Sequence, residues 1–78
     1  MADIVVAPDL WINRIYPEGL IENWLVRDGS VIAAGQPVAI VQIEGKPVTL
    51  AAPTSGILSV HVIKNSAVEP GTVIGKIL

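Results

Sequence analysis

Apolar residues come in short runs, several of them alternating with polar ones, and Gly or Pro interrupts the pattern every few positions. The runs Asp3–Ala7, Leu20–Val26, Val38–Glu44, Val48–Ala52, Ile57–Ile63 and Val73–Ile77 read as strands, since Val and Ile favour pleated, half-buried surfaces. Between seven Gly and six Pro no segment is long enough for a stable helix. Asp28-Gly29-Ser30, Ala34-Gly35-Gln36 and Pro70-Gly71-Thr72 carry turn chemistry. Short strands at this spacing predict an all-β sandwich or barrel.

Sliding the chain along itself by 36 residues exposes a repeat. Ile21 falls on Ile57, Trp24 on Val60, Ile32 on Val68, Val38 on Ile74 and Val41 on Ile77. Turn residues recur with them: Pro17 falls on Pro53, Gly29 on Asn65, Ser30 on Ser66 and Gly35 on Gly71. Gly and Asn both tolerate positive φ, so their exchange at a turn is physically sensible. The match predicts two equivalent half-domains about an approximate two-fold axis.

The halves are joined by Val41-Gln42-Ile43-Glu44-Gly45-Lys46-Pro47-Val48-Thr49-Leu50. Taking Gly45-Lys46 as the central pair gives a type II′ hairpin with Gly first. That register sets Ile43 against Val48, Val41 against Leu50 and Gln42 against Thr49, apolar with apolar and polar with polar. Lys46 then projects from the tip into water.

Composition narrows the classes. With 78 residues the chain is one domain, 1–78. A domain so small needs a well-filled core, which a hydrophobic share of 51% supplies. The absence of Cys excludes disulfides and thiolate metal sites, and His61 alone cannot assemble a zinc centre. A net charge of -2 argues against nucleic acid or an anionic membrane as partner. Mean hydropathy is high, at +0.62, yet no apolar run approaches the roughly 20 residues of a membrane span. No basic segment precedes the first apolar stretch, so a cytoplasmic location is expected.

Together these motifs resemble the lipoyl/biotinyl carrier family, and most closely the lipoyl domains of 2-oxo-acid dehydrogenase acyltransferases. The matching features are Val6-Ala7-Pro8, Glu18-Gly19, Ile21 through Trp24-Leu25-Val26, Asp28-Gly29-Ser30 and Gly35-Gln36. Ala52-Pro53-Thr54-Ser55-Gly56 and Gly71 through Ile77 complete the pattern. The resemblance implies a flattened barrel of two four-stranded sheets with a modified lysine on a hairpin and both termini at the far end. It implies a carrier, not an independent enzyme, with lipoate on Lys46, or alternatively biotin. Implied partners are acyltransferase- or dehydrogenase-like enzymes and a lipoate or biotin ligase. Lipoyl hairpins usually read Asp-Lys-Ala; a gap-free alignment puts Glu44 in the acidic position and Gly45 in that of the lysine, with Lys46 one place later.

Two readings of Lys46 stand at this point: an acceptor amine, or a solvated lysine on a carrier-like fold that serves as an interaction module. The loop Asp9–Pro17 is implied to lie beside the hairpin tip, making Asp9, Leu10, Trp11, Arg14 and Tyr16 the candidate partner contacts. Trp11 either folds back into the core or lies exposed. Trp24, on a strand, is expected to pack in the core, and His61 to face outward. The scattered carboxylates Asp9, Glu18, Glu22 and Glu44 form no acid–base pair, and no nucleophile–base set is present.

Overall fold

The computed structural model describes residues 2–12 and 18–78. Eight strands follow one another: β1 (Ala2–Val5), β2 (Gly19–Trp24), β3 (Val31–Ile32), β4 (Pro37–Ile43), β5 (Lys46–Ala51), β6 (Gly56–Val60), β7 (Ala67–Val68) and β8 (Val73–Ile77). A 3-10 turn, Pro8–Leu10, is the sole helical element among the described residues. All pairings are antiparallel and form two four-stranded sheets, in the orders β1-β8-β6-β3 and β5-β4-β2-β7. The two sheets enclose a core that includes Ile4, Val6, Ile21, Val38, Val41, Leu58, Val68, Ile74 and Ile77. The all-β architecture expected from the apolar pattern is the one observed. The strand reading missed β3 and β7, which are two residues each and too short to show a period.

Exchanging β1 with β5, β2 with β6, β3 with β7 and β4 with β8 turns one sheet order into the other. The two-fold repeat is therefore real, and each sheet takes two strands from each half. Turn chemistry follows it: Gly29 and Asn65 have φ of 85° and 71°, Gly35 and Gly71 of 83° and 86°. Backbone bonds follow it too. Val6 N–H donates to Thr72 O and Gly71 N–H to Val6 O, just as Ala52 N–H donates to Gln36 O and Gly35 N–H to Ala52 O.

One expected equivalence is corrected. Gly29 N–H donates to Leu58 O and Leu58 N–H to Ser30 O, whereas Asn65 N–H donates to Ile21 O and Ile21 N–H to Ser66 O. Ile21 therefore corresponds to Leu58, and Ile57 is not its equivalent. The cause is a bulge in β2, where the register with β4 shifts between Ile21 and Asn23. Glu22 is the extra residue, and its carboxylate accepts from Gln42 Nε2 on β4. A one-residue insertion flips every side chain beyond it to the other face unless a bulge absorbs it.

The repeat breaks in one further place. Fourteen residues lie between Val6 and Ile21 but five between Ala52 and Leu58, so the first half carries a loop nine residues longer. β2 starts where this loop ends, with Gly19 opposite Ile43 at the β4–β5 hairpin. The chain termini lie at the other end of the sandwich, where Ala2 pairs with Ile77.

Burial makes the corrected equivalence measurable. Leu58 is 1% exposed and Ile57 is 39% exposed. Leu58→Ala is expected to cost about 3 kcal/mol, as deletion of a buried branched side chain does. Ile57→Ala is expected to cost under about 1 kcal/mol. Urea denaturation of the two variants checks this, and the Ile21–Leu58 equivalence is abandoned if the two costs are equal or if Ile57→Ala proves the costlier.

Candidate functional site

The hairpin turns at Glu44-Gly45, one residue before the expected position. Ile43 pairs with Lys46, Gln42 with Pro47, Val41 with Val48, Ile40 with Thr49 and Ala39 with Leu50. Both turn residues have positive φ, 53° at Glu44 and 77° at Gly45, which is a type I′ turn whose twist matches that of the flanking strands. The expected Gly45-Lys46 turn would need a closing hydrogen bond from the N–H of residue 47 to the carbonyl of residue 44. Pro47 has no N–H. In the observed register Pro47 sits one pair beyond the closing pair, at a non-hydrogen-bonded position of the edge strand β5, where no donor is required.

This register also decides where the Lys46 side chain goes. Directly opposite residues of an antiparallel pair share a face, and Ile43 is buried. Lys46 thus belongs to the inner face of its sheet, at the open mouth of the sandwich, and not to a tip pointing straight away from it. It is nevertheless exposed. Asp3–Lys76 is the ion pair found among the described residues, and Lys46 takes no part in it.

The segment Pro8–Ile12, which follows β1, reaches the same end. Pro8 starts its 3-10 turn, with Leu10 N–H on Ala7 O and Trp11 N–H on Pro8 O. Trp11 is only 4% exposed. Its ring edge lies 3.3 Å from where a Cβ on Gly19 would stand, with Val68 at 3.2 Å, so a side chain at residue 19 would press tightly on both. Burial leaves the Trp11 Nε1–H without a hydrogen-bond partner, which costs about 1–3 kcal/mol that the buried ring must offset. Trp24 anchors the opposite region: its ring crosses to Gly75 on the other sheet and its Nε1–H donates to Val62 O at 2.9 Å.

Beyond Trp11 the loop is tied to the hairpin, because Ile12 N–H donates to the Glu44 carboxylate. A groove of about 280 Å³ lies between them. Leu10 and Ile12 line it from the loop, and Ile43, Glu44, Lys46, Pro47 and Val48 from the hairpin.

Of the expected site residues, Glu44, Gly45, Lys46 and Leu10 are brought together here. Trp11 is corrected from a candidate partner contact to a core residue that holds the loop down. Asp9 is exposed on the 3-10 turn and does not line the groove, while Arg14 and Tyr16 lie outside the described residues. His61 is exposed, as its strand parity implied. Sequence reasoning missed Ile12, Ile43, Pro47 and Val48. Pro47 was the available signal, since its missing donor fixes the turn. Among the described residues no His, Asp or Glu cluster could hold a metal ion, and no helix is long and apolar enough to cross a membrane.

The amino-acid sequence over residues 6–77 matches the profile of a family described as biotin-requiring enzyme, the biotin/lipoyl attachment domain. The chain belongs to that family. Among curated proteins none matches it. Biotin/lipoyl attachment domains are carriers of a covalently held cofactor and not catalysts in themselves. In this member the turn that joins the two halves is Glu44-Gly45, with its lysine first in the following strand.

The tie between loop and hairpin gives a direct expectation. Glu44→Ala removes the acceptor for Ile12 N–H, so the Ile12 amide should exchange faster with solvent while global stability changes by no more than about 1 kcal/mol. Residue-resolved hydrogen exchange measures both, and an unchanged Ile12 rate would show that the carboxylate does not hold the loop.

Proposed function

We propose that the chain is a lipoyl-type carrier in which Lys46 is the acceptor amine. The observation that carries this reading is the exposed Lys46 immediately after the two-residue turn of the inter-repeat hairpin, in a chain of the biotin/lipoyl attachment family. An acceptor must present its amine to a ligase, and Nζ on an exposed edge-strand residue can form an amide with an activated acid. Lipoate would supply the redox-active, acyl-bearing dithiolane; this chain supplies position and recognition. Glu44 and Gly45 shape the turn that sets Lys46, and the loop tied to Glu44 offers the neighbouring surface to a partner. Lipoate is favoured over biotin because biotinyl hairpins usually read Met-Lys-Met and no Met flanks Lys46, and because the stretch from Glu18-Gly19 to Trp24 is lipoyl-like.

The partners on this reading are a lipoate ligase and the enzymes of a 2-oxo-acid dehydrogenase-like system, in the cytoplasm. Tethering raises the local concentration of the carried group at each partner site to the millimolar range.

A second reading is favoured by one observation: the second turn position holds Gly45, not lysine. On that reading the domain is unmodified and serves as an interaction module.

Intact mass separates the two. After co-expression with a lipoate ligase and lipoate, and separately with a biotin ligase and biotin, the mass is expected to rise by one lipoyl group in the first case only, and Lys46→Arg to abolish the rise. An unchanged mass with both ligases, beside a carrier domain that is loaded, leaves the interaction module standing.

A further inference from the structure

The geometry points to the groove between loop and hairpin as a cradle for the hydrocarbon part of an acyl chain attached to Lys46 Nζ. This inference rests on Lys46 being an acceptor, and it concerns where the attached chain lies.

Three observations lead to it. Lys46 stands opposite the buried Ile43, so its side chain leaves the sheet on the groove side. Five of the seven residues that line the groove are apolar, Leu10, Ile12, Ile43, Pro47 and Val48, and the other two are Glu44 and Lys46 itself. Ile12 is 92% exposed although its own N–H is held by Glu44, so a pinned apolar side chain faces water beside the lysine. Covering it with methylenes is favourable in proportion to the area removed from water.

Size agrees. At about 280 Å³ the groove falls just below the roughly 300–1,000 Å³ typical of pockets for larger organic ligands, which suits a short acyl chain. Affinity need not be high, because a chain tethered at Lys46 meets the groove at millimolar effective concentration. The turn itself offers the contrasting case. A Cβ built on Gly45 meets nothing within 4 Å, so a chain carried at residue 45 would extend into open solvent. The one-residue displacement of the lysine thereby converts a free arm into one that rests against the domain.

The test does not depend on any ligase. The full chain with Lys64→Arg and Lys76→Arg and an acetylated N-terminus retains Lys46 as its one reactive amine. Octanoyl N-hydroxysuccinimide ester acylates it: Nζ forms the amide, N-hydroxysuccinimide leaves and a proton is released. In nuclear Overhauser spectra the octanoyl methylenes are expected to contact the methyl groups of Ile12, Ile43 and Val48. An acetyl group at the same position is expected to leave those methyl resonances in place. Ile12→Asn, at an exposed position that tolerates the change, should remove the contacts while amide dispersion is retained. Octanoyl carried at residue 45, in Gly45→Lys with Lys46→Arg, should give none. Absence of contacts from octanoyl-Lys46, contacts that survive Ile12→Asn, or equal contacts from residue 45 would each overturn the cradle. A ligase that fails to load Lys46 would overturn the carrier reading and leave this result intact.

Discussion

Proline has no N–H to give, and the hairpin of this domain is arranged around that lack. With Pro47 barred from closing a turn, the chain reverses at Glu44-Gly45, and Ile43 and Lys46 become the closing pair. Everything of interest at this end then follows from pairing parity. Lys46 takes the face of Ile43, Glu44 is held in a left-handed conformation with φ of 53°, and its carboxylate meets the backbone of the loop. The left-handed conformation costs a non-glycine residue about 1–2 kcal/mol. The type I′ twist and the bond to Ile12 both work against that cost.

The scaffold beneath is nearly symmetric, and the site lies where symmetry fails. The nine extra residues between Val6 and Ile21 have no counterpart in the second half. Trp11 fastens the segment Pro8–Ile12 by burying its ring over Gly19 and Val68. A buried indole with an unpartnered N–H is tolerable because aromatic burial outweighs one lost hydrogen bond. Trp24 breaks the symmetry elsewhere: it reaches across to Gly75 on the opposite sheet, while its repeat equivalent is the smaller Val60 on β6.

Most of the architecture could be read from residue order, because turn residues and buried positions recur together. Gly29 with Asn65 and Gly35 with Gly71 were recognisable as equivalent before any fold was known, and their dihedral angles agree. The hairpin register was not recovered, for a physical reason. The expected and observed pairings differ by two residues, and a two-residue slip keeps every side chain on its original face. Hydrophobic patterning is blind to such a slip; the donor missing at Pro47 distinguishes the two, as does the gap-free alignment that sets Glu44-Gly45 on the turn. The bulge at Glu22 escaped for a related reason, since Ile57 and Leu58 are both apolar and either could be matched with Ile21. Trp11 could not be assigned because its burial depends on a loop whose path no periodic pattern describes.

The interleaving of strands has a consequence for how such a molecule can arise. Each sheet needs β1 and β3, or β4 and β2, from one half and the complementary two strands from the other. A half-length chain on its own would have only half of each sheet, with β1 and β3 lacking the two strands that lie between them. Two copies could complete one another as a symmetric pair, each lending strands to both sheets. Fusing those copies end to start through a tight reversal yields this topology, and the junction of the fusion is the hairpin that carries Lys46. In a paired ancestor that junction would have been two loose chain ends.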